Sequence, residues 1–359
     1  MMSESNMPTT VDGDTDTIHV SVPATSANLG SGFDSFGLAL DRRDHVTFTL
    51  GDVGDSSIEV EISGEGDRSL PRDERNLIVR TFLDTSEELG LPRRSLKMVA
   101  NNRIPQARGM GSSAEAIVTA TAAAKAFAQD RASSLDREFV FARAARIEGH
   151  PDNVAPAVYG GLTVSWQYRQ DGRISDAAAS DGRRIDPAVA DLRASGSGAG
   201  MSRIVEGFHT VNYLVSPEIS AYVFVPDFSL STSKARKSLP DSIPYADAVF
   251  NISRAGLLPA AMESAGGDNS NELLFYATQD RLHQSYRADL MPQSSGLMHS
   301  LRAHGLAAMI SGAGPCVIVL HYGEIGQELK QLAGEQLESG HWVLLNLPID
   351  SQGVRVTRD

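Results

Sequence analysis

The chain has 359 residues, room for two domains at roughly 150 residues each. A composition of 41% hydrophobic and 21% charged residues is that of a soluble globular protein, and the net charge of −13 argues against nucleic acid or an anionic membrane as the main partner. The single cysteine, Cys316, excludes an intramolecular disulfide and a thiolate zinc cluster, and it points to a reducing cytoplasm.

Residues 1–17 are polar and acidic, without the basic start and apolar run of a signal peptide, and read as a disordered tail. Apolar and polar residues alternate from Ile18 to Val22, which predicts a strand ending at Pro23. The stretch 23–40 sets Asn28 and Asp34 among three glycines and reads as a loop too apolar for a solvated linker. Buried polar groups of this kind need partners, either on a ligand or on the amides of the loop itself. Strands are expected at 45–50, 57–63 and 96–100, with a helix over 75–89 ended by Gly90 and Pro92.

Residues 104–128 run from a glycine-hydroxyl loop into an alanine-rich segment. Ile117, Val118, Thr121, Ala124 and Ala128 fall at three- and four-residue steps, so a helix with one buried face starts near Ser112. Ahead of it, Gly109 and Gly111 let backbone approach a ligand, and the first helical N–H groups have no intrahelical acceptors. That geometry suits an anion, with the hydroxyls of Ser112 and Ser113 reaching phosphate oxygens or Mg²⁺. The alternative is that the two serines merely cap a core helix.

A second helix, 137–147, leads into residues 148–156, where Glu148, His150, Asp152 and Asn153 crowd around Pro151. A carboxylate such as Glu148 suits Mg²⁺, and His150 or Asp152 can orient a substrate hydroxyl. Residues 169–205 carry too few apolar side chains to offset the entropy of ordering and read as a mobile insertion. Two β-rich runs follow at 210–215 and 221–225, then a helix begun by the hydroxyls near Ser231. Segments 245–263 and 271–286 are helical by pattern, with Arg281, His283 and Arg287 clustered near the end of the second. Residues 306–320 read as strand, glycine turn and strand, and 342–347 as a closing strand. Glycines and Pro315 interrupt that long apolar run, so it is not a membrane span.

Three separated stretches resemble the signature motifs of the galactokinase, homoserine kinase, mevalonate kinase and phosphomevalonate kinase (GHMP) superfamily. They are Pro23-Ala-Thr-Ser-Ala-Asn-Leu-Gly with Gly32-Phe-Asp, Arg108-Gly-Met-Gly-Ser-Ser-Ala, and Ser311-Gly-Ala-Gly-Pro. Within it, His150-Pro-Asp-Asn-Val-Ala-Pro, Thr232-Ser-Lys-Ala-Arg236 and Asp280-Arg-Leu-His-Gln-Ser-Tyr-Arg287 resemble the homoserine kinases. The resemblance runs from about Ile18 to the C-terminus, outside 169–205.

The resemblance implies an α+β fold of two domains. The N-terminal one, 18–168, would resemble ribosomal protein S5 domain 2 and bind ATP; the C-terminal one, 206–359, would be a ferredoxin-like α/β sandwich, with the active site in the cleft between them. It implies transfer of the ATP γ-phosphoryl to the hydroxyl of L-homoserine, with Mg²⁺, and suggests a homodimer. Carried over by position, Asn76, Pro105, Arg108, Gly109, Met110, Gly111, Ser112 and Ser113 would hold ATP. Ser113 and Glu148 would serve Mg²⁺, and Asn28, Asp34, His150, Thr232, Arg236 and Arg287 would hold homoserine. Asp34 suits an ammonium, and two arginines suit a carboxylate. Catalysis would rest on Ser113, Asn153 and Asp152, with Asp152 as general base the less favoured mechanism because phosphoryl transfer depends mostly on positioning. Glu115 stands where the family has a small residue, and is expected to point away from the phosphate loop. A related kinase for another small hydroxy acid, and a non-catalytic sensor on the same fold, are the competing readings.

Overall fold

The computed structural model describes residues 16–169, 206–264, 267 and 269–359. Two sheets organise them. The first has seven strands: β1 (Asp16–Ala27), β2 (Phe36–Val53), β3 (Ile58–Gly64), β4 (Arg94–Asn102), β5 (Leu162–Tyr168), β6 (Gly207–Tyr213) and, from the far end of the chain, β11 (Arg355–Arg358). The order is β11-β1-β2-β4-β3, with β5 pairing the start of β2 and β6 pairing β5. Only β3 and β4 run parallel. The second sheet has the order β10-β7-β9-β8, built from β7 (Ile219–Pro226), β8 (Ala307–Ile310), β9 (Val317–Tyr322) and β10 (Trp342–Leu347). All its pairings are antiparallel, and counted along the chain the order is fourth, first, third, second, that of a ferredoxin-like sandwich. The fold is thus the expected two-domain α+β architecture.

Four helices pack on the first sheet: α1 (Leu77–Glu88), α2 (Ser112–Ala128), α3 (Arg137–Glu148) and α4 (Val154–Tyr159). The alanines of α2 are buried almost throughout, because small side chains let it lie between β1, α1 and α3. The other helices belong with the second sheet: α5 (Thr232–Lys237), α6 (Tyr245–Glu263), α7 (Ser270–Ala277), α8 (Gln284–Arg287), α9 (Pro292–Ala303), α10 (Gly326–Leu332) and α11 (Gly334–Glu338). A shared core joins the halves, with Leu29, Leu38, Ile104 and Met110 meeting Val223, Leu258, Leu274 and Ile318.

Several expectations need correction. Asp16 and Thr17, assigned to the tail, begin β1, where Asp16 pairs with Arg358; residues 1–15 and 170–205, assigned to the tail and the mobile insertion, lie outside the described residues. Strand β1 does not stop at Pro23 but continues to Ala27 through a register shift between Pro23 and Ala24. Proline is tolerated there because β11 ends its pairing at Ser21, so no neighbour on that side needs the missing N–H. The loop of 23–40 shrinks accordingly to the turn 28–35, where Asn28, Leu29, Gly30 and Asp34 all have positive φ. The single helix over 271–286 is two: Asp280 accepts the N–H groups of Leu282, His283 and Gln284, making a capped turn between α7 and α8.

Candidate active site

Helix α2 opens at Ser112 with Gly111 as its N-cap, in the left-handed region at φ 72°, and no side chain caps it. Serine capping therefore does not explain the motif, and Gly111, Ser112 and Ser113 at the start of α2 line a cavity of about 300 Å³. Its walls include Ile62, Leu77, Ile78 and Met98 on one side and Gly109, Gly111, Ser112, Ser113, Glu148, His150, Asn153 and Thr232 on the other. The Ser113 hydroxyl donates to Glu148 Oε2 at 2.8 Å, so the two residues expected at a metal stand together. Glu148 closes α3, which Gly149 ends at φ 85°. Burial pushes the Glu148 carboxyl above the ordinary carboxylate range, against the pull of His150 and of the Ser113 hydroxyl.

A hydroxyl and a carboxylate in contact beside an uncapped helix N-terminus form a donor set that fits Mg²⁺, which takes few protein oxygens and completes its shell with water and phosphate. Among the described residues no group of three or more acidic, histidine or cysteine side chains is arranged to hold a metal ion by itself.

The remaining loop residues have other tasks. The Arg108 guanidinium turns away from the cavity and braces the loop on Pro226 O at 2.8 Å and Asp227 O at 3.2 Å. Met110 and Pro105 are buried and do not line the cavity; Met110 sits in the shared core, and its carbonyl takes the Thr25 N–H. Asn76 lines the cavity but spends its amide on capping α1 through the Ile78 N–H and on Pro71 O. The two glycines are required by protein contacts as well as by any ligand. A Cβ on Gly109 would lie 2.2 Å from Ser311 O, and one on Gly111 would lie 1.9 Å from Thr25 Oγ1. Glu115 does not point away: it lines the cavity, 2% exposed, and accepts the Thr119 hydroxyl at 2.7 Å. Burial and the neighbouring Asp44 push its carboxyl well above the usual range, which disfavours a negative charge there.

Beyond the cavity the residues of the 28–35 turn meet α5 and α8. Arg236 forms a bidentate pair with Asp34, at 2.9 and 3.0 Å. Asn28 ties the turn together, its Nδ2 donating to Gly312 O at 2.7 Å and its Oδ1 accepting the Asp34 N–H at 2.9 Å. Arg287, 2% exposed, donates through Nε to Ala235 O and through Nη1 to His283. His150 Nδ1 lies 3.3 Å from Asp152 Oδ1, poorly aligned for a hydrogen bond. Burial alone would lower the His150 pKa, but the Asp152 and Glu148 carboxylates outweigh it and raise it. Asp152 also lies close enough to act electrostatically on Arg236 and Arg287. Asn153 caps α4 in position only, and its Oδ1 accepts the Thr25 hydroxyl at 2.8 Å. Thr25 and Asp44, which do not line the cavity but respectively contact Asn153 and neighbour Glu115, are supports that sequence reasoning passed over. Thr25 stood within the quoted Ala-Thr-Ser-Ala-Asn run as its signal, whereas nothing local marks Asp44.

The family of the chain is shown by its similarity to known proteins. Residues 76–161 match the family model of the GHMP kinases N-terminal domain, and residues 260–336 that of the GHMP kinases C-terminal domain. A homoserine kinase of Leifsonia xyli is 40% identical over 97% of this chain and 94% of its own length. One from Streptomyces coelicolor is 39% identical over 94% of each. Among solved structures, the homoserine kinase of Cytophaga hutchinsonii superposes with a TM-score of 0.71, covering 99% of this chain and 100% of its own at 23% identity, a likeness of fold. With full-length identity of this order and both domain models matched, the chain belongs to the homoserine kinase branch of the GHMP kinase family.

Proposed function

We propose that this protein transfers the γ-phosphoryl group of ATP to the side-chain hydroxyl of L-homoserine, giving O-phospho-L-homoserine for threonine biosynthesis. The observation that supports it most is that the uncapped α2 N-terminus and the Ser113–Glu148 contact share a cavity with His150 and Asn153, and that His150 and its neighbour Asp152 lie close enough to act electrostatically with Arg236 of the Asp34–Arg236 pair.

The apolar wall of the cavity suits an adenine, and the amides after Gly111 with the hydroxyls of Ser112 and Ser113 suit the phosphates. Ser113 and Glu148 would hold Mg²⁺, which neutralises charge on the transferred group and its leaving oxygen. Homoserine brings an ammonium and a carboxylate, the same two charges that Asp34 and Arg236 present to each other. The ligand can therefore take the pair apart without leaving either charge unmatched, its ammonium on Asp34 and its carboxylate on Arg236 and Arg287. His150 and Asn153 then flank the hydroxyl. Asp152 favours the protonated form of His150 and accepts the backbone N–H of Asn153, an arrangement that suits attack by alignment and charge neutralisation rather than by a strong base.

The test is a coupled assay with Mg·ATP and either L-homoserine or mevalonate. Turnover with homoserine and none with mevalonate is expected. Turnover with mevalonate alone would move the assignment to a related kinase, and ATP binding without turnover on any hydroxy acid would favour a ligand sensor.

A further inference from the structure

The motif at 280–287 contains two residues that the reaction above leaves unused, Asp280 and His283. His283 is fully buried at the junction of three pieces that the substrate would touch. Its Nε2 lies 2.9 Å from Gly30 O, in the turn that carries Asp34. Its Nδ1 lies 3.2 Å from Nη1 of Arg287, whose Nε is held by Ala235 O, the residue before Arg236. The Phe33 ring stacks on the imidazole at 5.0 Å and lies under the Arg287 guanidinium at 5.3 Å.

These contacts fix the tautomer. A guanidinium only donates, so Nδ1 is the acceptor; a carbonyl only accepts, so Nε2 carries the hydrogen. We propose that His283, as the neutral Nε2–H imidazole, is a positioning residue that sets the spacing between the ammonium-binding Asp34 and the carboxylate-binding Arg287, and so selects an α-amino acid. The inference rests on Arg287 receiving the substrate carboxylate. Asp280 supports it from below, accepting three backbone N–H groups of the same turn and an amide hydrogen of Asn251, so that the imidazole cannot swing away.

Protonation would destroy the arrangement, because Nδ1–H would face the Arg287 cation. Burial holds the His283 pKa below its ordinary value, with Arg287 adding to that effect, while Asp280, whose Oδ2 is 3.6 Å from Nε2, and Asp34 oppose it. The neutral form thus persists through neutral pH and is lost only in acid.

The experiment measures KM for homoserine, KM for ATP and kcat in the wild type, in His283→Phe and in Arg287→Ala, from pH 5.5 to 8.5. Phenylalanine keeps the stacking area and removes both hydrogen bonds. A hydrogen bond to a charged group corresponds to roughly a 10- to 100-fold effect, and we expect H283F to raise KM for homoserine by that factor while KM for ATP and kcat stay within about twofold. The wild-type homoserine KM should rise toward acid pH, and that rise should vanish in H283F. Long-range ¹H–¹⁵N NMR of the wild type should show the Nε2–H tautomer, a readout that needs neither variant nor activity. An Nδ1–H tautomer, an unchanged homoserine KM in H283F, or equal losses for both substrates and kcat would overturn the proposal. If R287A also leaves the homoserine KM unchanged, the carboxylate assignment itself fails; if R287A raises it and H283F does not, only the role of His283 fails.

Discussion

Glu148 shows how one side chain is tuned by its surroundings before any ligand arrives. Burial raises its pKa, so as pH falls it is neutralised earlier than an exposed glutamate, and a neutral carboxyl is a poor ligand for Mg²⁺. The expected outcome is a Mg²⁺ requirement that grows more demanding toward acid, at a pH above the ordinary carboxylate range, in activity measured across Mg²⁺ concentrations. Glu148→Gln should remove that pH dependence and lower kcat/KM by roughly 10²- to 10³-fold, the scale of removing one transition-state charge stabiliser. Ser113→Ala should shift the Mg²⁺ curve in the same direction. Glu115, two residues beyond Ser113, is shifted the same way and further: burial and the neighbouring Asp44 push its carboxyl well above the usual range, so a negative charge is disfavoured at a position beside the glycine loop.

At the scale of elements, the glycine loop before α2 is held from two sides. Gly109 has φ 81°, and its missing Cβ leaves room for Ser311 O, whose own hydroxyl donates to Gly109 O. The glycine loop before α2 and the 311–315 turn are therefore locked together, one from each half of the protein. Gly109→Ala should cost about 1–3 kcal/mol of stability from strain at positive φ and raise KM for ATP; thermal unfolding together with ATP kinetics checks both, and an unchanged Tm would contradict the lock. This contact also marks what was legible in the sequence. The loop, its serines and the helix behind them could be read because glycine, hydroxyl and alanine periodicity are local signals. The reason for Gly109 could not, because its neighbour is some two hundred residues away. The same limit applies to the contact of Asn28 with Gly312 O and to Arg108, which braces Pro226 and Asp227, since both partners lie far along the chain. Helix α4 is too short for periodicity to register, and the break between α7 and α8 depends on an aspartate accepting backbone amides, a turn that carries no glycine or proline.

On the scale of the whole molecule, the two sheets are not independent beads. β6 and β11 join the first sheet although both follow residue 205, and Leu40 makes a bridge to Ile349 as the chain returns. The buried Arg43–Asp350 pair, reinforced by Gly353 O, fixes that return. No helix among the described residues is long and apolar enough to cross a membrane. Such a frame keeps the α2 N-terminus and the Asp34, Arg236 and Arg287 cluster at a set distance, which is what in-line transfer between two bound ligands requires. The net charge of −13 means that an anionic nucleotide is drawn in by these local groups and not by the protein's overall field.

The most direct measurement is ADP release from Mg·ATP by the purified protein, with and without L-homoserine, for the wild type and Arg287→Ala. The account predicts homoserine-dependent release that the variant loses chiefly through a raised KM, by roughly 100-fold or more for a lost guanidinium–carboxylate contact. ADP release that ignores homoserine, or an R287A enzyme with the wild-type homoserine KM, would contradict it.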